Sequence, residues 1–407
     1  MGAEYHQRLR KHGWGLVLLL GVFMCWVTPE EHGMESIGLG SVSLGATATA
    51  AGNKLEADWF VPSRPETLTW GWILIDKPPV LTVQPGQTVR IDTLSHQGAM
   101  HDEDPVTVFG ALGVKPEEIL PDVLDFWATR AAQPTGAGRS AHILTGPIYI
   151  EGAEPGDMLA VQILAVETRV PYGINSTSPT SGVLGPAYKG TMAWDPPPQG
   201  TRRLIRTAKV DGREVALFAE HITVPLGPFM GIMAVAPPMP VPGPPPGGQV
   251  PGGRMQSSRP PGPFGGNMDV KELTAGSTLY LPVFHTGARF YVGDPHSAQG
   301  DGKVDGTAIE QSLTGTFRFL LHKGKTIPFP RAETQTHYIM MGIDVDLNRA
   351  MRIAVQEVAN FLVAEKGMAP GDAYALASIA CDFHVAEAVN LTQLVAGKIP
   401  KGIFTQK

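Results

Sequence analysis

Apolar positions come in short bursts along this chain up to about residue 330. The runs 68–75, 88–93, 159–166, 214–218 and 317–321 are β-rich and separated by Gly and Pro. Short strands with turn signals between them predict a mainly β, antiparallel architecture of sandwiches or barrels. The period changes after residue 345. Leu347, Ala350, Met351, Ile353, Ala354, Val358, Phe361 and Leu362 form an apolar stripe at helical spacing. That stripe predicts a helix over 347–365, with Asp346 as N-cap and Gly367 as its stop. A second helix is expected after Pro370-Gly371-Asp372, capped by Asp372 and running to about Cys381. With 383–394 these make a small C-terminal α+β segment. Residues 115–132 also have helical composition, interrupted by Pro121.

Two stretches stand outside this alternation. Residues 236–265 are dense in Pro and Gly and are expected to be irregular, without ladders or helices. At the start, Arg8, Arg10 and Lys11 precede an apolar run from Trp14 to Val27. This is the pattern of a leader, here placed at 1–51. The reading is an exported, periplasmic protein without stable membrane insertion after cleavage; an uncleaved anchor is the alternative. The division along the chain is then 1–51 leader, 52–235 mainly β, 236–265 Pro/Gly-rich loop, 266–345 β, and 346–407 α+β.

Composition narrows the partners. The formal charge is −6, and no Lys/Arg cluster interleaves with aromatics, which argues against nucleic acid. Past residue 51 the only cysteine is Cys381, so that part forms no internal disulfide. Its apolar surroundings mark it as a core thiol and not a nucleophile. No Gly-x-Ser-x-Gly elbow is present.

The chemistry concentrates in 293–310, where Asp294, His296, Asp301, Asp305 and Glu310 stand among four glycines. Such a composition reads as neither a core strand nor an amphipathic helix. Asp, His and Glu are ligands for zinc, and carboxylates with carbonyls suit calcium. A solvated acidic loop is the plain alternative.

This segment, with Gly265-Gly266-Asn267-Met268-Asp269, Thr145-Gly146-Pro147, Pro228-Phe229-Met230-Gly231 and Asp382-Phe383-His384-Val385, resembles the acetamidase/formamidase family over about residues 80–405. The resemblance implies a β-sandwich plus a β-barrel-like part with the C-terminal α+β segment, in a homo-oligomer. It also implies metal-dependent hydrolysis of a small linear amide, with zinc expected as the catalytic ion and calcium as a structural one. His296 and Asp269 come first as ligands, then Asp301, Glu151 and Asp294. Glu310 is the expected general acid/base, with Asp294 as a second catalytic carboxylate. His142, Gln299 and Lys303 are expected near the substrate. His96 and His101 join the site or form a hydrated acidic turn. One departure matters: Gln299-Gly300-Asp301-Gly302 is followed by Lys303, where the family usually carries Glu. Glu387 also stands where Gln is frequent. An altered member that binds a ligand or partner without amide turnover is therefore the rival reading.

Overall fold

Alternating buried apolar residues set the longest ladder, Met158–Thr168 paired antiparallel with Leu313–His322. It lies inside a nine-stranded sheet in the order Trp59–Val61, Thr88–Asp92, Leu313–His322, Met158–Thr168, Thr278–Pro282, Arg331–Glu333, His337–Asp344, Thr392–Pro400, Asp382–Asn390. A second sheet runs Gly265–Asn267, Phe229–Ala234, Phe290–His296, Ile143–Ile150, Leu68–Trp70, with Leu81–Val83 added in parallel to Ile143–Ile150. Phe290 of the second sheet meets Phe317 and Phe319 of the first, ring centroids 6.0 and 5.1 Å apart. The two sheets thus share one core in sandwich fashion. Tyr172–Thr177, Thr201–Val210, Arg213–Ala219 and Ile222–Pro225 form a four-stranded antiparallel sheet. Sheets dominate, as expected, and among the described residues they stay open, without a closed barrel.

This computed structural model describes residues 56–100, 103–185, 200–239 and 254–405. The leader, His101 and residues 240–253 of the Pro/Gly-rich loop lie outside the described residues. Among the described residues no helix is long and apolar enough to cross a membrane.

The helix Leu347–Lys366 matches its periodicity. Asp346 accepts from the Arg349 N–H at 2.9 Å, and Gly367 ends the helix at φ 66°. Small residues let it lie close to the sheet: a Cβ on Gly342 would come 2.2 Å from the Ala350 oxygen. The next helix, Pro370–Ala380, begins from Ala369, so Asp372 sits in its first turn and not at the cap. Pro121 starts the helix Pro121–Thr129 where an interruption was expected, because proline needs no N–H partner at a first turn. A short helix Pro105–Ala111 precedes it, capped by Asp104.

Three further expectations need correcting. The run 68–75 is two strands, Leu68–Trp70 and Trp72–Leu74, split by Gly71 at φ 76° and sent to different sheets. Met255–Ser257, inside the region expected to lack ladders, pairs with Trp72–Leu74. The segment 293–310 opens as the end of a fully buried strand, Phe290–His296. Its polar residues face one another there, so composition misrepresented their burial.

Candidate active site

The site is built on the strand Phe290–His296, held on both sides. Phe229 pairs with His296 and Ile232 with Gly293 on one side, and Gly293 pairs with Leu144 on the other. Asp269 follows the neighbouring strand Gly265–Asn267, and His142 directly precedes Ile143–Ile150. His96 lies on the loop after Thr88–Asp92, tied down by the Ser95 N–H to the Ser312 hydroxyl at 3.0 Å. Glu310 bridges to both Ile174 and His296. Backbone from distant parts of the sequence thereby brings four acids and bases to one buried point.

Gly231 makes that convergence possible. A Cβ there would stand 2.6 Å from Asp269 Oδ1 and from His296 Cε1, and 2.9 Å from Asp294 Oδ2. Three site residues, Asp269, Asp294 and Lys303, hold left-handed backbone at φ 52°, 50° and 44°.

His296 Nε2 lies 3.2 Å from both Asp294 Oδ2 and Glu310 Oε2, and His296 Nδ1 lies 3.5 Å from Asp269 Oδ1. Burial disfavours its imidazolium, but the Glu310 and Asp294 carboxylates outweigh that and raise it to about 10. Lys303 is buried among the same groups. Its Nζ stands 3.1 Å from both Asp269 oxygens, 3.4 Å from Asp294 Oδ2 and 3.3 Å from His296 Nε2. Burial opposes the ammonium, and Asp269 and Asp294 more than reverse this, so Lys303 is raised above the ordinary lysine value. Asp294 and Glu310 are both lowered: burial pushes each up, while Lys303 and His296 respectively lead the charges pulling them down. Burial raises Asp269, with Lys303 and the Asn390 amide at 2.5 Å pulling the other way.

Two overlapping triplets among the described residues have the spacing to hold a metal ion: His96, Asp294, Glu310 and Asp269, Asp294, His296. The residues of the first fit such an ion well. His96 Nδ1 and Asp294 Oδ1 are buried without any hydrogen-bond partner, Glu310 Oε2 has only His296 Nε2 beside it at 3.2 Å, and Nδ1 lies 3.5 and 3.8 Å from the two carboxylate oxygens. Buried groups of this kind are costly unless something compensates them. Gln97 Nε2, 3.1 Å from His96 Nε2, fixes the ring so that Nδ1 faces the carboxylates.

A cleft of about 340 Å³ reaches His96 and His142, with Arg139, Ser140, Ser257 and Asn390 in its wall. A larger one, about 850 Å³, lies along residues 298–309 beside Phe218 and Leu226. It touches Lys303 but neither His96 nor His142. The smaller cleft is the one that reaches the triplet's His96. His142 Nδ1 is 3.1 Å from the Ser140 hydroxyl, and its Nε2 is 3.8 Å from Asp294 Oδ2. Burial lowers His142 to about 4, so it is neutral at pH 7.

The structure therefore gathers His296, Asp269, Asp294, Glu310, His96, His142 and Lys303. Gln299 stands behind them, its Nε2 donating to the Asp269 carbonyl at 2.8 Å. Two expected ligands lie elsewhere. Asp301 is on the surface, paired with Lys271 at 2.8 Å, because the turn at Gly300–Gly302 sends its side chain outward while Lys303 goes in. Glu151 is exposed at the turn after Ile143–Ile150. Sequence reasoning missed Asn390 and the space-making role of Gly231. Gly231 was visible inside a quoted family segment; Asn390 gave no signal.

The chain matches the model of the acetamidase/formamidase family over residues 137–243 and 254–406. It is 26% identical over 263 residues to the formamidase of Methylophilus methylotrophus, covering 56% of this chain and 58% of that one. It is 31% identical over 201 residues to the acetamidase of Mycolicibacterium smegmatis, covering 40% of this chain and 49% of the other. The alignments thus span less than two thirds of these curated relatives. Among solved structures, an acetamidase from Yersinia enterocolitica superposes with a TM-score of 0.66 at 28% identity, covering 88% of this chain and 96% of that one. An acetamidase from Bacillus halodurans shares the fold with a TM-score of 0.63 at 24% identity, over 85% and 98% of the two chains. With its family segments placed around this buried cluster, the chain belongs to the acetamidase/formamidase family.

Proposed function

We propose that the protein hydrolyses the C–N bond of a small linear amide, of the formamide or acetamide type, to carboxylate and ammonia with the help of a divalent ion, zinc in the first instance. The observation that carries this is the buried triplet of His96, Asp294 and Glu310, spaced to hold an ion and with His96 Nδ1 and Asp294 Oδ1 unpartnered, whose His96 lines a cleft sized for a small substrate. A divalent ion held by them supplies Lewis acidity toward a carbonyl oxygen and eases the ionisation of water.

The remaining work falls to the chain. His142, neutral at pH 7 and beside the triplet, accepts a proton from the attacking water and returns one to the departing nitrogen. The Asp294 carboxylate, 3.8 Å away, supports the imidazolium while it lasts. One water oxygen is added to the carbonyl carbon, the C–N bond breaks, and the nitrogen leaves protonated. Glu310 was expected to move protons; its Oε1, fixed by the Ala308 N–H at 2.9 Å, and its Oε2, steadied by His296 and turned toward His96, suit a ligand better. His296 and Lys303 hold the carboxylates in place from below.

Ammonia release from formamide, acetamide and propionamide, before and after chelation and zinc return, tests this reading. Turnover that chelation abolishes and zinc restores is the expected result, with His142→Ala about 10²-fold slower. A zinc-replete protein that releases no ammonia from any of the three sinks it, and the rival of binding without turnover then leads. Export is proposed on the basic and apolar pattern before residue 28. A mature N-terminus near residue 52 in a periplasmic extract is its check.

A further inference from the structure

The two ligand triplets share Asp294 but differ in what lies between their atoms. Among Asp269, Asp294 and His296 stands the Lys303 ammonium, within 3.4 Å of all three side chains. It is a compact point charge with three donors, and it takes both the volume and the charge of a cation there. Among His96, Asp294 and Glu310 no ammonium intervenes: His96 Nδ1 and Asp294 Oδ1 are orphaned, and Glu310 Oε2 is met only from the side, by His296 Nε2 at 3.2 Å. Lys303 is fixed from its own backbone. Its N–H meets the Gly300 carbonyl at 3.3 Å, and its carbonyl accepts from the Gly306 N–H at 2.8 Å.

We infer that Lys303 is a built-in cation filling one of two adjacent cation positions, so that the chain takes a single divalent ion, at His96, Asp294 and Glu310, and not a pair. A second divalent ion would have to displace the Lys303 ammonium from its contacts of 3.1 Å with Asp269 and 3.4 Å with Asp294, and would add charge to a buried site where charge is expensive. This inference rests on the metal-assisted reading above and refines its stoichiometry.

The test is zinc per chain, by elemental analysis and calorimetric titration of the full chain, in four proteins. One ion is expected in the native protein, none in His96→Ala, and two in Lys303→Met and in Lys303→Gln. Lys303→Met leaves its carboxylates uncompensated without zinc, so its melting temperature should rise on zinc addition more than that of the native protein. His96→Ala keeps Lys303 and so carries the test even where both lysine variants fail to fold. Two ions in the native protein, one ion retained by His96→Ala, or a single ion in a folded Lys303 variant would overturn the inference while leaving metal-assisted hydrolysis standing. No ion in the native protein overturns both.

Discussion

Replacing Glu387 by Gln should flatten the pH dependence of stability between pH 5 and pH 9. Glu387 is fully buried; its Oε2 accepts from the Val389 and Asn390 N–H groups at 2.9 and 3.0 Å, and its Oε1 has no partner. Burial, helped by the Asp269 carboxylate, pushes it up from 4.5 to about 8. The folded state therefore keeps a proton that the unfolded chain releases. The stabilising contribution is complete below about pH 4.5 and is lost as the pH rises through 8. At about 1.4 kcal/mol per pH unit, that contribution amounts to roughly 5 kcal/mol. Gln keeps an oxygen for the two N–H groups and cannot ionise. Urea midpoints of the chelated native protein and of Glu387→Gln, measured at each pH, should diverge from pH 5 to about pH 8 and hold their separation beyond it, the native protein having lost ground. Parallel curves would refute the reasoning, because they would mean Glu387 is already ionised in the folded state or exchanges its proton with solvent at its ordinary value.

Gly231→Ala should lose zinc affinity by at least tenfold in calorimetry and destabilise the fold by about 1–3 kcal/mol, since its Cβ must displace Asp269 or His296. In the chelated protein the His142 ring signals should stay in the neutral form from pH 8 down to pH 5.5 by NMR, as burial holds it near 4; a midpoint near 6.5 would show an open site. Asp301→Asn should leave ammonia release within about twofold, because its exposed ion pair with Lys271 is of the weak surface kind; a loss of 10²-fold would restore Asp301 as a ligand. Cys381, raised by burial to about 11, should react slowly with thiol reagents at pH 7.5, and Cys381→Ser should retain full turnover.

How much of this was legible in the sequence depended on whether a residue's surroundings were local. The helix Leu347–Lys366 and both its ends could be read because its stripe, its cap and its glycine stop are all near neighbours in the chain. The strand Phe290–His296 could not, because the charges that surround its buried polar residues, Asp269, Glu310 and Lys303, come from other segments. The family resemblance named most of the cluster, yet it could not say which side chains of the Gly-rich turn point inward. Asp301 and Lys303 are two residues apart, and only the backbone of that turn decides that the lysine is enclosed and the aspartate is wet. Lys303 was legible as a departure from the family pattern. Its place at the centre of the carboxylates was not.

The left-handed backbone at Asp269, Asp294 and Lys303 has a practical consequence for anyone improving this protein. Seven non-glycine residues among those described adopt positive φ, and three of them carry the charges of the site. Each such conformation costs on the order of 1–2 kcal/mol for an ordinary side chain, and glycine escapes that cost. Glycine would relieve that strain, but removing one partner of a buried ion pair costs about 3–5 kcal/mol, so a screen that rewards only heat resistance would keep the three charged residues. The strained turns are held by the same ion pairs that serve the site, and the three codons answer to durability and turnover together.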